Sequence, residues 1–73
     1  MSRIVAIGES ERIRGFPFAG VSAIAAGDSE AARAAWRGLP ADVALVILTP
    51  AAHAALEPEL EPRDGLLWAV MPK

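Results

Sequence analysis

The chain has 73 residues, with seven Lys and Arg against nine Asp and Glu for a net charge of −2, one histidine and no cysteine. That length makes a single domain near the lower limit for folding on an ordinary core. The missing cysteines exclude a disulfide framework or thiolate metal site, and a lone His53 excludes a His-rich one.

Acids and bases are mixed along the chain with no basic stripe, so nucleic acid is not an expected partner. No apolar run approaches the ~20 residues of a membrane helix. Met1-Ser2-Arg3 leads into an apolar run too short for a signal peptide, so a soluble cytoplasmic protein without membrane insertion is expected. Hydrophobic residues make up 53% of the chain, but many are alanine, which buries little area each. Stability must come from apolar burial within the chain or against a partner.

Ile4-Val5-Ala6-Ile7, ending at Gly8, reads as a strand buried on both faces, as in a parallel sheet. Ser10 is expected to cap a short helix over residues 11–15, with Glu11 favourable near its start. Pro17 limits that helix, because its ring drives Phe16 away from the α region. A helical turn over residues 17–19 can follow, with proline at its first position. Residues 21–25 form a weak strand of poor alternation, suited to a sheet edge.

Gly27-Asp28-Ser29 is the best helix-start signal in the chain. Asp28 or Ser29 can cap a helix over residues 30–37, a run of high helix propensity. It places Ala32 and Trp36 on one face and Glu30, Arg33 and Arg37 on the other, and Gly38 and Pro40 end it. Residues 43–49 form the strongest strand, expected in the sheet centre. Residues 50–56 read as a short helix opening on proline. Residues 57–65 form an acidic loop in which Glu57, Glu59 and Glu61 are expected to be solvated. Residues 66–71 form the last strand.

The order β-α-β-α-β-α-β with short links implies an α/β fold with right-handed crossovers. The expected architecture is a small open parallel four-stranded sheet of receiver- or flavodoxin-like order 2-1-3-4, with helices on its faces. Such sheets bind ligands beyond the carboxyl ends of their strands. Here that rim holds Gly8, Glu9 and Ser10, then residues 26–29, 49–52 and 71–73.

Neither a dinucleotide fingerprint nor a P-loop is present, and Glu9 with Glu11 would repel a pyrophosphate. A phospho-acceptor domain needs an aspartate ending the third strand, where Thr49 stands. Ser10 and Ser29 read as caps, and His53 lacks a partner to orient it. No catalytic residue, cofactor or metal is therefore expected. The aromatic residues are more informative. Trp36 should pack its helix on the sheet, and Trp68 faces whatever covers the last strand. Phe16 and Phe18 either plug the core or anchor a partner. The candidate partner-interface residues are Arg14, Phe16, Phe18, Trp68 and Met71.

With the elements placed, the chain resembles the F subunit of the archaeal/vacuolar-type (V/A-type) ATPase. The opening strand Ile4-Val5-Ala6-Ile7-Gly8 leads to Gly15-Phe16-Pro17-Phe18-Ala19-Gly20-Val21, which looks like that family's Gly-Phe-x-Leu-Ala-Gly-Ile/Val signature with Phe18 in the leucine place. Glu30-Ala31-Ala32 is similar to its Glu-Glu-Ala helix start. Asp42-Val43-Ala44-Leu45-Val46-Ile47-Leu48-Thr49 and Trp68-Ala69-Val70-Met71-Pro72 resemble its later strands. The resemblance covers nearly the whole chain in order, and is to a short form lacking the family's C-terminal helix.

It implies a noncatalytic rotor-stalk component. Such a component binds the coiled-coil D subunit and couples ATP hydrolysis or synthesis to ion transport. It also implies an uncovered sheet face, and hence a homodimer in isolation or burial against a partner. The alternative is a receiver-like regulatory interaction module that lacks a phospho-acceptor aspartate. A small-ligand or enzyme role at the strand rim is the third reading.

Overall fold

A computed structural model describes residues 3–14, 21–61 and 65–72. The chain alternates β1 (Arg3–Gly8), α1 (Ser10–Ile13), β2 (Ser22–Ala25), α2 (Ser29–Arg37), β3 (Val43–Leu48), α3 (Pro50–Leu56) and β4 (Leu67–Val70), with a 3-10 turn over Glu57–Glu59. All strand pairs are parallel and the order is β2-β1-β3-β4. The expected α/β architecture and strand order are thus both found.

The arrangement follows from apolar content. The two most continuously apolar runs, β1 and β3, lie side by side in the middle and bury Val5, Ala6, Ile7, Val46 and Leu48. The weakly patterned β2 takes one edge and β4 the other. On one face Val5, Ile7, Val46, Leu48 and Trp68 pack against Ala32 and Trp36 of α2 and Ala52 and Leu56 of α3. On the other, Ala6 and Ile47 pack with Ile13 of α1 and with Val21. Trp36 is buried as its helical spacing implies, and its ring meets that of Trp68 edge to face, with centroids 6.1 Å apart.

Local chemistry sets the helix ends. Asp28 caps α2, its Oδ1 accepting from the Ala31 N–H at 2.7 Å. Ser29 is therefore the first helical residue rather than the cap. Thr49 caps α3, and Pro50 occupies the first helical position, where its missing N–H costs nothing. The apolar run predicts a strand through Thr49. The strand instead ends at Leu48, because the Thr49 side chain is committed to the helix that follows.

The start of α1 also differs from expectation. Ser10 lies inside the helix and Glu9 takes the cap position, with no side-chain cap bond. The Glu9 carboxylate is engaged elsewhere, by Thr49. The helix ends at Ile13, with Arg14 as its C-cap. Gly15, the expected turn over residues 17–19, and Phe16 and Phe18 lie outside the described residues.

The acidic loop is more ordered than its composition implies. Arg37 grips Glu59 with two bonds, from Nε at 3.0 Å and Nη2 at 2.8 Å, and Arg33 lies 3.8 Å away. Both arginines come from the outer face of α2, so a long-range ion pair fixes this stretch. At the start of β4, Gly65 adopts φ +79°, a left-handed turn that side chains rarely accept.

Candidate functional site

In this topology a ligand would enter the crevice between the carboxyl ends of β1 and β3, where the chain reverses its direction across the sheet. Two side chains occupy it. The Thr49 hydroxyl donates to Glu9 Oε1 at 2.7 Å and accepts from the Ala52 N–H at 3.3 Å. Thr49 is fully buried. It presses so closely on β1 that a Cβ at Gly8 would lie 2.6 Å from Thr49 Oγ1, which only glycine avoids.

The Thr49 hydrogen bond is the largest influence holding the Glu9 carboxyl below the usual carboxylate range. Its own backbone N–H and the nearby Arg12 act in the same direction, and burial opposes them. Glu9 is thus a stable anion at neutral pH, suited to accept a hydrogen bond rather than to donate a proton. Thr49, at the place of a receiver's acceptor aspartate, holds a buried hydroxyl whose proton is directed at Glu9.

Beside this latch lies an open cleft of about 160 Å³ between the starts of α2 and α3. Its lining includes Glu9, Asp28, Ser29 and Ala51. The two carboxylates make it a poor place for an anion. Among the described residues no three His, Cys, Asp or Glu side chains converge as metal ligands. Every buried side-chain polar atom there has a hydrogen-bond partner. His53 sits half-buried on α3.

The second candidate surface is the sheet face that carries α1. That helix packs on β1 and β2. Across β1, β3 and β4 the register aligns Ile4 with Leu45 and Leu45 with Leu67. The next row on this face is Ala6, Ile47 and Ala69. Residues opposite each other in parallel strands share a face, so Ile4, Leu45 and Leu67 form one aliphatic row about 10 Å long. Ile4 is 37% and Leu67 70% exposed. At one end of the strands lies the Arg3–Asp42 ion pair at 3.3 Å, and at the other Arg12 Nη2 donates to the Pro72 carbonyl at 3.0 Å.

Of the sequence-derived interface residues, Arg14, Trp68 and Met71 are described, and Trp68 and Met71 lie on opposite faces of the sheet. Arg14 is exposed at the end of α1. Trp68 is half-buried against Trp36, on the face covered by α2 and α3. Met71, three residues on and half-buried, falls by alternation on the opposite face. Its N–H donates to Leu48 O at 2.8 Å. Phe16 and Phe18 lie outside the described residues.

The row of Ile4, Leu45 and Leu67 is not among these candidates. Each belongs to a run apolar enough to read as core, and only the register brings them together on an open face. The Glu9–Thr49 pair has a faint sequence signal, because both residues follow apolar strands and so share the rim. Compared with protein-family models, curated proteins and solved structures, the chain matches none.

Proposed function

We propose that this chain is a noncatalytic docking protein that receives a partner on the β3–β4 half of its open sheet face. The aliphatic row Ile4–Leu45–Leu67 carries the reading. Two helices cover the opposite face, whereas among the described residues this one holds a helix of four residues. Two strands without a described covering helix span about 10 Å, the width of one helix. A helix of a coiled-coil partner would fit that strip. The Glu9–Thr49 latch supports the same view, since it engages with each other the two polar side chains that stand where chemistry would otherwise sit.

The specific form of the proposal is the stalk role implied by the resemblance to the F subunit of the V/A-type ATPase. The chain would bind a coiled-coil D subunit and couple ATP hydrolysis or synthesis to ion transport. It would do so in the cytoplasm, peripheral to the membrane sector. Among the described residues no helix is long and apolar enough to cross a membrane. Co-purification with a D-type stalk protein tests this. Leu67→Arg should abolish capture while leaving the fold intact, because Leu67 is mostly exposed. Failure of the unmodified chain to capture any such protein would refute the stalk role.

The strand order favours a second reading, a receiver-like regulatory module without an acceptor aspartate. Neighbouring genes for signalling proteins rather than for rotary-ATPase components would favour it.

A further inference from the structure

We infer that the free edge of β4 pairs antiparallel with the same edge of a second copy of this chain, about a two-fold axis at Ala69. Met71 N–H donates to Leu48 O, on the β3 side. Backbone direction alternates along a strand, so Leu67, Ala69 and Met71 turn their polar groups toward β3. Trp68 and Val70 turn theirs outward to the open edge. Shortness is the one guard that this edge shows among the described residues: β4 is Leu67-Trp68-Ala69-Val70, with no charge, no proline and no bulge within it.

Self-pairing centred on Ala69 satisfies those groups. Trp68 of each copy exchanges both backbone bonds with Val70 of the other. On one face that sets an aromatic ring beside a β-branched side chain, a favourable cross-strand pair. On the other, Leu67 lies opposite Met71 of the second copy, and alanine meets alanine where strands approach most closely. No charge meets a like charge. Val70, 43% exposed, and Leu67 would both gain cover. Pro72 ends the pairing, because it has no N–H to offer.

An edge this short gives a small interface, on the order of 1,000 Å² in total, so the dimer should be concentration-dependent. At the other edge, β2 carries the polar Ser22 and offers no comparable apolar match. The inference shares Leu67 with the docking proposal but does not rest on it, because the bonds that join the copies come from backbone groups at the sheet edge.

The absence of native cysteine makes the register testable. A non-hydrogen-bonded antiparallel pair lies close enough for a disulfide, so oxidised Ala69→Cys should form a linked dimer ~10-fold faster than Leu67→Cys or Ile24→Cys. Sedimentation of the unmodified chain should show a mass rising toward twice 7.6 kDa as concentration increases. Val70→Pro removes only an outward N–H, so it should stay folded and monomeric and suppress the Ala69→Cys link. Circular dichroism of Val70→Pro checks that it folds, and Ala69→Glu, which opposes two like charges, is a second monomerising variant. An unmodified chain that stays monomeric up to ~500 μM, a range that would reveal even a weak interface of this size, overturns the inference. So do cross-links that form equally well at positions 67, 69 and 24.

Discussion

Replacing Thr49 with valine keeps the shape of the side chain and removes its hydroxyl. Two interactions go with it, the donation to Glu9 at 2.7 Å and the cap on the Ala52 N–H. A hydrogen bond to a charged acceptor contributes roughly 1.5–3 kcal/mol, and the low end applies because Glu9 is only half-buried and water can replace part of it. Losing a cap costs about 1 kcal/mol. Thr49→Val should therefore destabilise the fold by about 2–2.5 kcal/mol at pH 7, lowering Tm by about 10–15 °C in a domain of this size.

The pH dependence separates the two contributions. The folded Glu9 pKa lies below the ordinary glutamate value of 4.5, so its stabilisation is present above that value and fades as pH falls through the folded one. The cost of Thr49→Val should then shrink toward the cap's share, about 1 kcal/mol, at a pH low enough to protonate Glu9. Urea denaturation at both pH values, with Glu9→Gln completing a double-mutant cycle, measures this. A cost that is the same at both pH values, or below about 0.5 kcal/mol at pH 7, would refute the latch.

Gly8→Ala should cost at least 1–3 kcal/mol by overpacking, because its Cβ would collide with the buried Thr49; thermal unfolding reads this directly. Trp36→Ala removes the helix anchor and the edge-to-face contact with Trp68, a loss of roughly 3–5 kcal/mol. That is comparable to the whole stability of so small a domain, so near-ultraviolet circular dichroism should show an unfolded chain. Glu59→Gln should cost about 1 kcal/mol or less, and the loss should diminish at 1 M salt, since Arg37 is exposed.

The parts of this molecule legible in its sequence are those decided locally. The Asp28 cap and the Gly38 stop bound α2 because both act within a few residues of the helix. Pro50 marks the start of α3 for the same reason. The strand order follows from apolar content, which puts β1 and β3 in the middle. The illegible parts depend on residues far apart in the chain. Ser10 has the chemistry of a cap, but Thr49, distant in sequence, draws the Glu9 carboxylate away and resets the start of α1. Glu59 has the composition of a solvated loop, but α2 supplies Arg37 to hold it. The row of Ile4, Leu45 and Leu67 combines three strands, and no single segment shows that its outer residues are left bare together.

The central place of β1 has a consequence for the order in which the chain can assemble during synthesis. β1 needs neighbours on both sides, and one of them, β3, is made only after β2 and α2. Until residues 43–48 emerge, Val5, Ala6 and Ile7 have at most half of their ladder. The nascent chain must carry an apolar segment without its final cover, and long-range closure of this kind is intrinsically slow. The Arg12–Pro72 bond, spanning 60 positions, can form only after all four strands have been made. Acquisition of native structure should therefore be late and abrupt, with no stable subdomain formed by the first two strands alone.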